Sequence, residues 1–361
     1  MAGQRLAGLD AVGHRVCGRV RGRARLRALH GAVSRRLPGH FACARGRRTL
    51  GAGRRPYPRC RQPQAVNERG EGAVIRPDID PIVSVDWLAS RLGRDDIVVA
   101  DCRFDLADPS AGRRAYDRNH IPGAVYFDLE TDLSGPAGQG RGRHPLPDLE
   151  EFGLKLGKAG IGEGVCVVCY DDGDGAMAAR LWWMLRYLGH DGAAVLDGGY
   201  KAWLGSGLPV TAEVPKPLAR SFVPRPRPEL AATMEEVRAM SAAGRGVLID
   251  CRAPERYRGE VEPLDPVAGH IPGARNLPWM DNLDPSGRFR SRDELVRRFE
   301  QLDGQDPIVL YCGSGVTACV NLLAMAQAGI RAKPKLYVGG FSQWCSVPEN
   351  AVARVDPRRS L

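Results

Sequence analysis

The chain repeats itself. VVADCR at 98–103 returns as VLIDCR at 247–252, and NHIPGAVYFDL at 119–129 returns as GHIPGARNLPW at 269–279, an offset of 150 residues (269 − 119). VCVVCYDD at 165–172 has its counterpart in PIVLYCGS at 307–314. LDGGYKAW at 196–203 has its own in YVGGFSQW at 337–344, an offset of 141 (337 − 196). Two stretches that keep one order of parts are expected to be two copies of one folding unit.

Within a copy, apolar strand signals alternate with helical ones. In the first, Asp86–Leu92 reads as a helix and IVVADCR as a buried strand, and HIPGA is a turn before a short strand. LEEFGLKLGKAG is a helix, VCVVCY a strand, AARLWWMLRYLGH a helix, and AAVLDGG a strand running into a GGYKAW helix. Short apolar strands alternating with helices predict an α/β fold in which each copy is a mostly parallel sheet flanked by helices. The expected organisation is an Arg-rich extension over 1–72, a first domain over 80–212, a Pro-rich linker over 213–230 and a second domain over 231–357. The linker should be extended and semi-rigid, and Thr233 with Glu236 forms a capping box at the start of the second copy.

Net charge enters here, because +10 suggests a nucleic-acid or membrane-surface partner. Residues 1–70 hold 17 Arg, no Lys and only Asp10 and Glu68 as acids, a net of +15, which leaves −5 (10 − 15) for the rest. The basicity therefore belongs to the extension, for which three readings stand open: translated upstream sequence, a disordered basic arm, or a targeting peptide. The repeated part has no nucleic-acid footprint, and no apolar run is long enough to cross a bilayer. Three cysteines (Cys17, Cys43 and Cys60) lie in the extension, and the other seven are scattered through core-competent sequence. That is not a disulfide framework and fits a cytoplasmic protein.

The chemistry is expected at Cys312. It follows the strand PIVLY and opens the turn Cys312, Gly313, Ser314, Gly315, Val316, Thr317 before the helical run ACVNLLAMAQAG. The carboxyl end of a parallel strand is where open α/β sheets bind ligands. The N-terminus of the following helix faces the sulfur, and its dipole and free N–H groups favour a thiolate. Gly313 and Gly315 let the backbone curl. A cysteine phosphatase would need an arginine six residues on to clamp phosphate, but Ala318 stands there. In the first copy the matching position is Asp171, followed by Asp172 and Asp174, so that copy should be catalytically silent. Cys166 and Cys169 have the spacing of half a zinc site, but no second pair follows, and a core strand is the better reading. No metal or organic cofactor is expected.

These residues resemble tandem-rhodanese sulfurtransferases, the family of 3-mercaptopyruvate and thiosulfate sulfurtransferases. The loop Cys-Gly-Ser-Gly-Val-Thr-Ala closely resembles that of the mercaptopyruvate enzymes. The resemblance spans about three quarters of the chain, residues 80–357. It implies two rhodanese-like domains, the second of them catalytic, a persulfide on Cys312 and donor binding by the Gly313–Thr317 loop. It also implies that Arg256, in DCRAPERYRGEVEPLDP, holds the donor's anionic group. A second arginine usual in mercaptopyruvate enzymes is absent, with Leu264 in its place, which keeps thiosulfate open as donor. A persulfide carrier with little small-molecule turnover is the reading from a different class. The implied partners are a small sulfur donor and a thiol acceptor such as thioredoxin, or cyanide. His120 and His270 recur in both copies, which favours a structural role. Ser314 is a candidate to protonate or orient the donor. Cys319 should pack in the core, and Cys345 is a candidate redox partner.

Overall fold

A computed structural model describes residues 79–355 apart from Gln139; the extension over 1–72 lies outside the described residues. The first copy runs β1 (Ile82–Val83), α1 (Val85–Ala89), β2 (Ile97–Asp101), α2 (Ala111–Arg118), β3 (Val125–Tyr126), α3 (Leu149–Lys158), β4 (Cys166–Tyr170), α4 (Ala176–Tyr187), β5 (Ala193–Leu196) and α5 (Gly199–Gly205). The second repeats this order: β6 (Ala231–Ala232), α6 (Met234–Ala243), β7 (Val247–Asp250), α7 (Pro254–Arg258), β8 (Arg275–Asn276), α8 (Arg292–Phe299), β9 (Ile308–Tyr311), α9 (Ala318–Ala328), β10 (Lys335–Tyr337) and α10 (Gly340–Trp344).

Each copy builds a five-stranded sheet, ordered β1-β5-β4-β2-β3 and β6-β10-β9-β7-β8. All pairings are parallel, with Val99 opposite Val168 in one sheet and Leu248 opposite Val309 in the other. The central strands β4 and β9 are buried at every residue, as expected of strands covered on both faces. An outer apolar layer lines each sheet separately. The inner layers merge into one core that joins Leu181, Trp182 and Trp183 of α4 with Leu322, Leu323 and Met325 of α9. The copies therefore share a hydrophobic interior, and their inner faces depend on one another.

The repeated Asp-Cys-Arg motif has a structural cause. At the end of β2, Arg103 donates from its backbone N (3.0 Å), Nε (3.0 Å) and Nη2 (2.6 Å) to the Asp101 carboxylate, and from Nη2 to the Asn119 carbonyl (2.7 Å). At the end of β7, Arg252 repeats this on Asp250 and on the Gly269 carbonyl (2.6 Å). These buried pairs pin each strand end to the turn that carries His-Ile-Pro-Gly. Both histidines are engaged in structure: His120 stacks on Tyr116 with ring centroids 4.0 Å apart and His270 on Tyr257 at 3.9 Å, and each Nδ1 meets the carbonyl of its own tyrosine.

The Thr233–Glu236 capping box is present in both directions. The Pro-rich connector does not span free space. Arg220, Arg225 and Arg227 donate their N–H groups to the carbonyls of Gly157, Leu188 and Tyr187, so it is strapped along the first copy.

Removing one partner of a buried ion pair strands the other in a low-dielectric interior. Asp250→Ala should therefore lower the unfolding free energy by about 3–5 kcal/mol, read as a fall in the urea midpoint; an unchanged midpoint would refute the pinning role of the pair.

Candidate active site

Cys312 stands immediately after β9, the middle strand of its sheet, where the chain turns toward α9. Gly315 makes the turn at φ +71°, and a Cβ there would collide with the Val338 carbonyl, so only glycine fits. The second repeated motif, YVGGFSQW, holds the loop from outside. Phe341 and Ser342 at the start of α10 donate their N–H groups to the carbonyls of Cys312 and Gly313, both at 2.8 Å.

A cavity of about 70 Å3 opens over the sulfur. Cys312, Gly313, Ser314, Val316, Thr317, Arg256 and Leu264 line it from the second copy, and Leu106, Leu129, Arg143, His144 and Met177 from the first. Of the residues singled out from sequence, Cys312, Arg256, Gly313, Ser314, Val316 and Thr317 thus meet around one space. Gly315 is not on its wall; its carbonyl faces inward and accepts from Arg180 Nη1 at 3.0 Å.

Arg256 is held by two acids. Its Nε and Nη2 reach Glu262 at 3.2 and 2.6 Å, and Nη2 also lies 3.3 Å from Asp265. Burial raises the Glu262 carboxyl, but the hydrogen bond and charge of Arg256 together with the Leu264 and Asp265 N–H groups outweigh it and hold the pKa below the ordinary value. Asp265 pairs in turn with Arg143 Nη1. Glu262 also meets Arg252 at 3.1 Å. An alternating chain of charges therefore runs Asp250–Arg252–Glu262–Arg256–Asp265–Arg143, from the end of β7 to the wall of the cavity.

Three contributions from the first copy carry no sequence signal of their own. His144 Nδ1 lies 2.7 Å from Ser314 Oγ, and burial, reinforced by Arg180 and Arg143, pushes its pKa down to about 4. Arg143 faces the cavity beside it. Arg180 of α4 is fully buried and has no carboxylate partner among the described residues; besides Gly315 it donates to the carbonyls of His144 (3.1 Å) and Leu133 (3.3 Å). Arg143 and His144 lie between β3 and α3, outside the repeated motifs singled out above.

The first copy's own loop holds an anion already. The Asp171 carboxylate accepts from the backbone N–H groups of Gly173, Gly175 and Met177 at 3.0 Å and Ala178 at 3.2 Å. Burial, then Asp174, raise its pKa to about 7 against those donors. Cys166 and Cys169 face opposite sides of β4, one in the outer core and one in the inner. Among the described residues no group of three or more His, Cys, Asp or Glu is placed to hold a metal ion. Cys319 is the second residue of α9, buried, with its thiol pushed up to about 12 by burial, and burial brings Cys345 to about 11.

The family model for the rhodanese-like domain matches twice, over residues 84–206 and 233–347. The chain belongs to the rhodanese family. This rhodanese is 47% identical over 280 residues to a protein named probable 3-mercaptopyruvate sulfurtransferase from Pseudomonas aeruginosa, covering 76% of the chain and 98% of that relative. It is 38% identical over 263 residues to a putative thiosulfate sulfurtransferase from Mycobacterium tuberculosis, covering 72% and 92%. Among solved structures, a 3-mercaptopyruvate sulfotransferase from Escherichia coli superposes with a TM-score of 0.64 at 32% identity, covering 73% of this chain and 99% of that one. The two-domain α/β architecture is thus that of the family. Among the described residues no helix is long and apolar enough to cross a membrane.

An imidazole with pKa near 4 is neutral across the physiological range. Between about pH 6.5 and about 4 the unfolded chain takes a proton that folded His144 refuses, so stability should fall across that window. In His144→Gln this component of the pH dependence should vanish. An NMR titration showing His144 protonating at the ordinary value near 6.5 would contradict the burial argument.

Proposed function

We propose that the protein transfers sulfur from 3-mercaptopyruvate to a thiol or to cyanide through a persulfide on Cys312. The observation that carries this is Cys312 at the base of a cavity walled by arginine, at the head of a buried helix, in a rhodanese with the relatives named above.

The Cys312 thiolate attacks the donor sulfur. The carbon–sulfur bond breaks with its electron pair going to carbon, where the adjacent ketone takes it up as an enolate. The donor's S–H proton moves to that carbon, giving pyruvate and leaving sulfur on Cys312 as an anionic persulfide. Ser314 and neutral His144 are the groups within reach to pass this proton and to hydrogen-bond the enolate oxygen. Arg256 attracts the donor carboxylate, and the loop from Gly313 to Thr317 surrounds the transferred sulfur. In the second half an acceptor thiolate, a thioredoxin dithiol or cyanide attacks the outer sulfur and the Cys312 thiolate departs. Asp171 in the matching place leaves the first copy without a nucleophile, which supports a silent role for it. We place the enzyme in the cytoplasm, where its described cysteines, all free, remain reduced.

Thiosulfate is the second donor to test, since relatives from Mycobacterium tuberculosis and Mus musculus carry that name. Steady-state turnover should be higher with 3-mercaptopyruvate than with thiosulfate; the reverse order would make thiosulfate the donor, and turnover with neither would leave a persulfide carrier. Intact mass should show one added sulfur after donor treatment, lost on adding cyanide. Cys312→Ser should abolish both signals, and Ser314→Ala should lower kcat by about 100-fold. Turnover surviving in Cys312→Ser would end the mechanism.

A further inference from the structure

Two guanidinium groups line the cavity over Cys312, and their hydrogen bonds differ. Arg256 spends Nε and Nη2 on Glu262, and shares Nη2 with Asp265. The Arg143 side chain makes a single ion pair, Nη1 to Asp265, and neither its Nε nor its Nη2 has a hydrogen-bond partner among the described residues. An arginine presents two parallel N–H bonds along its Nε/Nη2 edge, the edge with which Arg94 closes on Asp96 at 2.8 Å twice. On Arg143 that edge is open.

Its position is fixed by the second copy. The Arg143 backbone N–H donates to Ser342 Oγ at 3.1 Å, and Gln343 Nε2 donates to the Gly140 carbonyl at 2.6 Å. Gly142, at φ +82°, packs so closely on the Gly339 carbonyl that a Cβ would lie 2.7 Å from it. The guanidinium itself lies over Gly313, where a Cβ would stand 2.6 Å from Nη2. Arg143 is therefore held against the residue next to Cys312 and not adrift on a loop, while Leu264 in the same wall offers no charge.

Resting on the donor reading above, we infer that Arg143 of the first copy binds the carboxylate of the sulfur donor through its Nε/Nη2 edge. Donor recognition is then shared between the copies, with Arg256 supplying attraction and Arg143, beside it on Asp265, the directional, two-point contact. Lysine cannot reproduce such a contact, because its ammonium is a point charge without a fork.

Arg143→Gln should raise KM for 3-mercaptopyruvate, and the inhibition constant of pyruvate, by about 10- to 100-fold, with kcat within about threefold and the acceptor KM unchanged. Arg143→Lys should fall between wild type and the glutamine variant. A second arm needs no sulfur transfer: alkylation of Cys312 by anionic iodoacetate relative to neutral iodoacetamide should drop in Arg143→Gln, while the iodoacetamide rate holds and reports an intact site. If KM, the pyruvate constant and the alkylation ratio all stay within twofold of wild type, the assignment of Arg143 is overturned. If wild type fails to turn over 3-mercaptopyruvate, the donor reading falls separately, and the alkylation ratio still decides whether Arg143 binds an anion.

Discussion

Where a parallel strand turns into a buried helix, the first N–H groups of the helix and its loop have no partner within the helix. Buried away from water, they need an acceptor, and an anion suits them best because the helix dipole favours negative charge. The first copy meets this need covalently. Asp171 folds its carboxylate under four backbone donors, and the loop is complete without a ligand. The second copy places a sulfur at the corresponding point. A thiolate and then a persulfide are the anions it can present, and each can leave or react where a carboxylate cannot. One architectural demand, answered by two side chains, separates an inert copy from a reactive one.

The inert copy is nonetheless built into the site. Its α4 sends Arg180 across the shared core to the Gly315 carbonyl, so a buried cation from one copy holds the reactive loop of the other. That guanidinium has carbonyls but no carboxylate around it. Burial lowers its pKa, while the nearby Cys319 and Cys312 sulfurs act in the opposite direction. An uncompensated buried charge is costly, and negative charge on the loop sulfur is what would offset it. The stretch between β3 and α3 adds His144, which burial keeps neutral beside Ser314. The merged core explains why such contacts are dependable: α4 and α9 cannot shift without opening it.

Much of this was legible in the sequence because duplication marks what both copies need. The strands, the His-Ile-Pro-Gly turns and the Gly-Gly helix starts were visible as pairs, and the structure gives each pair one job. Cys312 stood out because it breaks the pairing with Asp171. Arg256 could be located through the family resemblance, although its partners Glu262 and Asp265 could not. His144, Arg143 and Arg180 were invisible for a physical reason. They act across 170, 122 and 135 residues of chain on Ser314, Asp265 and Gly315, two of them lie outside the longer repeated motifs, and Arg180 sits in a helix whose apolar neighbours read as core. The family resemblance pointed to Arg256 alone as the cation at the cavity; Arg143 on its wall is a second.

The alternating chain from Asp250 to Arg143 bears on how an anionic substrate is received. It holds three acids and three arginines, so it is neutral as a whole. The charge left unbalanced lies where the chain ends, and it adds to the local pull of Arg256 on the cavity wall. At the β7 end it is closed, because Asp250 and Arg252 satisfy each other in full burial. At the other end the last acid, Asp265, is shared by two arginines, and the terminal member is Arg143. Every interior arginine faces an acid on both sides, whereas the terminal one faces an acid on one side and the cavity on the other. The unbalanced positive edge of an otherwise neutral network therefore falls beside Gly313, and a donor carboxylate docked there extends the alternation by one more link.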